Sequence, residues 1–433
     1  MSKKTIILII ILLIVLGIAG WLIVLQKTGP QGDGGDEDSK SFFTNLFPFG
    51  KGEDVTEDRG PSPDGGIKET EIPLIGSSGN APLRQLTSIS TVGYIATTTL
   101  QGLAIRYMDR AVGNIHEINM ETFEQARITN TTLPGMSEII WHHDAENYIL
   151  RYADNKNVLQ TYVGRIVHSE SSTSSEFATL LGDFMATNIP HVIPNADHSR
   201  ILYTRNNGSG GSVGVTTAFD YDNNNDKLLF NSPFLAWILE WPNSNLVTAT
   251  SKASSIADGF SYFVDTSDGS FTKILGGIKG LTINTNHAGS VVLYSSFINN
   301  KFSTSVYDTT TKRTVPASIG TLSEKCAWST VDERIVYCGV PDDVPSGKYP
   351  DEWYQGKISF SDSIWEINIE TNAIRLISAP TIVAKTRIDV IEPSVTPDGA
   401  YLLFKNKKDS TLWSLKLQEN IVEEEVAEEE IDS

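Results

Sequence analysis

The chain of 433 residues holds 34 Lys and Arg against 53 Asp and Glu, a formal net charge of −19. That balance argues against nucleic-acid binding, which needs a concentrated basic footprint. The charge is also uneven: +3 over residues 1–27, −7 over 28–80 and −8 over 419–433, leaving −7 for the body between.

Residues 1–4 carry Lys3 and Lys4 and precede an uncharged Ile- and Leu-rich run over 5–26. A bilayer core of about 30 Å needs roughly 20 apolar residues in a helix, so this run is long enough to span. A cleaved signal peptide is the rival reading, but its apolar stretch is shorter and Ile18-Ala19-Gly20 makes a poor cleavage site. The expectation is an uncleaved, single-pass anchor with residues 1–4 cytoplasmic and everything after residue 26 extracytoplasmic, in the cell envelope.

Residues 27–80 read as a disordered acidic linker rich in Gly, Pro and Ser, too poor in apolar pattern to fold alone. Its flexible reach is on the order of 40 Å. Within it, Phe42, Phe43, Phe47 and Phe49 mark either a short docking motif or a segment packing on the body. Residues 418–433 form an acidic tail, expected to be disordered and solvating.

The body, 81–417, is poor in helix signals and rich in short alternating runs of Thr, Val, Ile, Tyr and Phe broken by Gly, Asn, Asp and Ser. One pattern recurs about seven times: an extended run, an Asp-Gly type turn, then a second alternating run. Its clearest copy is Val395-Thr396-Pro397-Asp398-Gly399-Ala400-Tyr401-Leu402-Leu403-Phe404, and weaker ones begin near Tyr94 and Trp241. A period of about 40–50 residues predicts stacked sheets or propeller blades. Ile364 to Ile369 and Ile374 to Ser378 supply third and fourth strands.

The last repeat stops after three strands, at Leu417, whereas Pro82-Leu83-Arg84-Gln85-Leu86-Thr87 is a fourth-strand segment with no repeat of its own. Pairing the two closes the ring and leaves no open edge. The predicted fold is therefore all-β: a seven-bladed propeller, with six or eight blades as alternatives, closed by an N-terminal strand and preceded by one transmembrane helix. The Thr-Pro-Asp-Gly segment with its following Leu412-Trp413-Ser414-Leu415 resembles the WD40-like repeats of TolB-type β-propellers. That family includes scaffolds, receptors, peptidase gates and some enzymes, so the resemblance implies a fold rather than a role.

Cys326 and Cys338 are equidistant from Asp332, the middle of a predicted turn. They face each other across a simple hairpin, close enough for a disulfide outside the cytoplasm; two buried thiols are the alternative. Asp220 to Asp226 alternates oxygen side chains as calcium loops do, but Asn225 replaces the required Gly and no distal Glu follows. No metal or other cofactor is expected. Gly210-Gly211-Ser212-Val213-Gly214 matches a nucleophile elbow by letters only, because no helix follows it. His142-His143 reads as packing or solvent-exposed rather than as ligands.

The element that breaks the period is an insertion, Gly339 to Asp362, between the second and third strands of the sixth repeat. Such connections reach the face around the channel mouth. Asp351, Glu352, Trp353 and Tyr354 there are candidate binding residues, since aromatics are enriched at interfaces; the alternative is that Trp353 packs onto its own blade. The functional expectation is a membrane-anchored module binding a protein or an envelope polymer. A glycan-active enzyme using Asp342, Asp351 and Glu352, or an envelope spacer, are the alternatives.

Overall fold

The computed structural model describes residues 82–168, 177–186, 188–221 and 225–417. Among them are seven four-stranded antiparallel sheets. In six, the strands follow chain order from the innermost outward; in the seventh the order is Leu83–Gln85, Leu412–Lys416, Tyr401–Asn406, Val390–Val395. The seven innermost strands are Thr91–Thr99, Met136–Trp141, Val192–Pro194, Trp237–Asn243, Thr282–Thr285, Cys326–Trp328 and Val390–Val395. They begin blades 1 to 7. Among the described residues no helix is long and apolar enough to cross a membrane. The anchor at 5–26, the linker and the tail fall outside the described residues.

Closure has the anticipated partners. Leu83, Arg84 and Gln85 pair with Leu415, Ser414 and Trp413, and the backbone bonds Leu86 N–H to Leu412 O and Lys416 N–H to Pro82 O, each 2.7 Å, extend the seam. Leu83 and Leu86 are buried. The Arg84 guanidinium lies 3.6 Å from the centre of the Phe123 ring, tying the seam to blade 1.

Apolar faces of successive blades pack on each other, so each cluster draws on two neighbours. Ile105, Tyr107 and Ile118 of blade 1 meet Leu403 and Leu412 of blade 7, while Ile149 and Val163 of blade 2 meet Ile201, Tyr203 and Val215 of blade 3. Buried cations add directional ties. Arg106 bonds Glu117 (2.7 Å) in its own blade and both Glu146 and Ala145 O (2.8 Å each) in blade 2. Arg151 bonds Glu138 (2.6 Å) and Ile189 O (2.6 Å) before blade 3.

The divergent turns keep the backbone shape of the Asp-Gly copy. Gly399 has φ 72°, and Ala145 (57°) and His198 (53°) hold the same left-handed conformation without being glycine. That conformation costs roughly 1–2 kcal/mol for an L-residue. At His198 the ring nitrogen hydrogen-bonds Trp141 O at 2.7 Å, an anchor that offsets part of the cost.

Antiparallel alternation places two kinds of connection on one face: second-to-third strand loops, and the segments entering each innermost strand. The insertion after Pro341 and the segments 233–236, 252–257 and 379–389 therefore share the face at which the innermost strands begin.

Candidate functional site

The insertion folds inward. Its single-turn helix, Asp351–Tyr354, buries Trp353 and Tyr354. Trp353 is 1% exposed, and Tyr349 and Phe360 are as well covered. The three rings form a stack, Phe360 lying parallel to Tyr349 at 5.5 Å and to Trp353 at 6.4 Å, with Phe302 of blade 5 against its edge. This corrects the expectation of an exposed Trp353–Tyr354 surface. A buried indole N–H needs an acceptor, and Asp389, just before blade 7, provides one at 3.0 Å.

Beneath the stack lies Lys325, fully buried at the end of a 3₁₀ turn, Ser323–Lys325. Its ammonium contacts Asp389 and reaches Asp362 at 2.7 Å. It also sits 5.1 Å from the centre of the Trp353 ring and 5.2 Å from that of Phe360. Asp389 further accepts from Ser359 Oγ and Phe360 N–H, each at 2.9 Å. Burial opposes its ionisation, but the Lys325 charge and these donors prevail and hold its carboxyl below the ordinary value. Burial pushes Asp362 up to about 7, only partly opposed by Lys325. The ammonium is thus held between two carboxylates. The insertion is a plug fastened over blade 6 by a buried ion cluster.

The remaining candidates are engaged separately. Asp351 Oδ2 accepts from Ser255 N–H of blade 4 at 2.6 Å, Glu352 accepts from Lys348 N–H at 3.1 Å, and Asp342 accepts from Ser363 Oγ at 2.6 Å. Ser212 is buried in a strand and donates to Phe234 O at 2.6 Å. His142 pairs with Asp144 at 2.8 Å. The run 220–226 is only partly described, and there Asp226 accepts from the Tyr203 hydroxyl at 2.5 Å. Among the described residues no three His, Cys, Asp or Glu side chains are grouped to hold a metal.

Beside the plug, the innermost strands of blades 4 to 7 enclose an open cavity of about 270 Å³, lined by Glu240, Glu324 and Glu392 with Ile238, Asn284, Cys326 and others. Ile238 and Glu240 share one side of a strand whose Trp237, Leu239 and Trp241 turn to the core. The alternation Trp-Ile-Leu-Glu-Trp carried this signal, although no single repeat shows the three acids together. A bulge between Ile391 and Ser394 turns Glu392 toward Lys405, 2.8 Å away.

Burial pushes Glu240 up to about 7 against hydrogen bonds from Thr285 and Thr248. Burial likewise pushes Glu324 up to about 7, outweighing the Tyr354 hydroxyl and the Lys325 charge. The Glu324–Tyr354 hydrogen bond links cavity and plug. An acid with a raised folded pKa binds protons more tightly than in the unfolded chain. Their contribution to stability therefore falls as pH rises from about 4.5, the ordinary value, to about 7, and is level above that, while His191, pushed down to about 4 by burial, acts in the opposite sense over part of this range. Asp362 acts in the same sense as the two glutamates. A melting-temperature series across this range should show the decline, and Glu240→Gln should flatten it.

Cys326 and Cys338 stand directly opposite on the first two strands of blade 6 and are joined by a disulfide. It closes a loop with a sequence separation of 12, for which chain-entropy reasoning gives about 3 kcal/mol. Cys338→Ala should lower unfolding free energy by about 2–3 kcal/mol in denaturant titration. Reduction of the wild type should do the same, and Cys338→Ala should be insensitive to reductant.

The rim of the entry face, where the innermost strands begin, carries apolar side chains, of which Ile238 also lines the cavity. Phe234, Leu235, Ile238 and Ile256 are exposed large hydrophobics on the entry face, Ile256 at 79%. Their loops are fixed. Lys252 N–H bonds Ala236 O (3.3 Å), Gly280 N–H bonds Ser254 O (2.8 Å), and Ser255 N–H bonds Asp351 of the plug.

No protein-family model matches the sequence, and no curated protein matches it. Solved structures do. An oligogalacturonate lyase in complex with manganese is similar over 78% of this chain and 93% of its own, at 10% identity and TM-score 0.49. The β-propeller domain of Cps50 (Swd1) from Myceliophteria thermophila covers 78% of this chain over 100% of its own, at 8% and 0.47. The β-propeller domain of the Trilobed protease from Pyrococcus furiosus, described as having an open velcro topology, covers 75% of this chain and 94% of its own, at 11% and 0.45. Such distances carry no chemistry across; the seven blades rest on the sheet order itself.

Proposed function

We propose that this chain is a membrane-anchored, extracytoplasmic β-propeller that binds a protein or an envelope polymer through the entry face of blades 4 to 6. The observation that carries the reading is an open cavity on the same face as exposed apolar residues, Ile238 belonging to both, on loops that are hydrogen-bonded to one another. Contiguous exposed apolar surface on a soluble domain marks interaction sites, and loops already held in place lose little freedom on binding. The anchor rests on the length of the run 5–26 and on Lys3 and Lys4. Asp342, Asp351 and Glu352 lend the glycan-active alternative no support, being bonded to separate partners.

The test is crosslinked capture from native membranes with the full chain. Phe234→Ser with Leu235→Ser should reduce recovered partner about tenfold, the loss of one or two anchors being worth about 1–2 kcal/mol, while the domain still melts cooperatively, lowered only by the lost Phe234–Trp237 contact. Equal recovery would count against this face.

A further inference from the structure

Resting on the binding face just described, we infer that its occupant is a peptide segment presenting a Lys or Arg side chain into the cavity, with apolar neighbours seated on the rim. The argument is charge complementarity joined to shape. The cavity lining includes three carboxylates, Glu240, Glu324 and Glu392, and no Lys, Arg or His. Glu392 already faces Lys405 at 2.8 Å and the Arg110 charge, and Lys325 is held by Asp362 and Asp389 beneath the plug, so Glu240 and Glu324 are the carboxylates offered to an incoming cation. Among the described residues Glu240 accepts hydrogen bonds from Thr248 Oγ1 at 3.0 Å and Thr285 N–H at 3.1 Å, neither charged.

Ile238 lines the cavity and is also one of the exposed apolar residues of the entry face. Phe234 and Leu235 precede it by four and three residues. The Phe234 ring packs edge-on against Trp237 at 5.3 Å, and its backbone is held by Ser212 and Ser232. A long flexible side chain with a terminal cation suits this cavity, because its methylenes can lie against apolar lining such as Ile238, Leu281 and Ile283 while the charge reaches the carboxylates. Two of those carboxylates titrate near neutrality, so an arriving cation displaces protons rather than an existing ion pair. An anionic or neutral polar segment would meet only repulsion or desolvation there.

A random displayed-peptide library selected on the full-length chain, then on the Glu240→Gln/Glu324→Gln variant, tests this. Expected are recovered peptides with a Lys or Arg flanked by Leu, Ile or Phe, enriched about tenfold on the wild type. Changing that base to Gln in the best peptide should cost a similar factor in Kd. Recovery of bases no more often than in the starting library would overturn it, as would equal enrichment on both proteins. If circular dichroism shows that the double variant does not fold, each single Gln variant carries the same comparison. Base-free peptides that are lost on Phe234→Ser/Leu235→Ser would remove the cationic occupant while leaving the face. Peptides indifferent to every variant would remove both.

Discussion

Asp389→Ala should cost about 3–5 kcal/mol of unfolding free energy, the range for breaking a buried ion pair from one side. The side chain it removes is one of the two countercharges of Lys325 and the acceptor for Trp353 Nε1, Ser359 Oγ and Phe360 N–H. Lys325 would then face only Asp362, whose own carboxyl resists ionisation. A domain stable by about 5–15 kcal/mol has little margin for such a loss. Denaturant titration measures it, and Trp353 fluorescence should shift as its cover opens. A loss under about 1 kcal/mol would mean that water already enters this cluster.

Lys325→Met gives the complementary result with a pH signature. Without the ammonium, Asp362 and Asp389 oppose each other in a dry site, so both folded pKa values rise. The variant then binds more protons folded than unfolded, and its deficit shrinks as pH falls. The wild type shows the opposite sense at Asp389, whose depressed pKa contributes stability that is lost as pH falls below about 4.

The second large effect is at the seam. Removing residues 82–87 should unfold the propeller, although it deletes no complete blade. It exposes the edge of Leu412–Lys416, abolishes two buried leucines worth about 1.5–3 kcal/mol each, and strips ladder bonds worth about 1 kcal/mol apiece. Leu83→Ala alone should cost about 2–5 kcal/mol. Arg84→Ala, which loses an aromatic contact, should cost about 1. Retained cooperative melting in the deletion would show that three strands suffice for blade 7.

The ring and its closure were legible because both are written in local pattern. Thr396-Pro397-Asp398-Gly399 is a turn by its own chemistry, and Leu83-Arg84-Gln85-Leu86 is an outer strand by its likeness to later repeats. Cys326 and Cys338 could be placed opposite each other because a hairpin has only one register about its turn. The insertion was legible as an interruption but not in its orientation. Whether Trp353 faces water depends on Asp389 and Phe302, which lie in other blades and carry no sequence mark of their partnership. Lys325 looks like an ordinary polar residue beside Glu324; only the packing of two blades shows that it is dry. The acids of the cavity come from three separate repeats, and no spacing rule joins them.

The pairing of Leu83–Gln85 with Leu412–Lys416 also sets a schedule. The ribosome delivers one side of the seam well before the other, tens of seconds apart at about 5–20 residues per second. Until then the first segment has no partner, and six finished blades wait as an open arc with two raw edges. A chain cut short anywhere before Leu412 can never complete the circle. Such fragments would expose a strand edge to chaperones and proteases, so the seam doubles as a test of whether synthesis has passed Lys416.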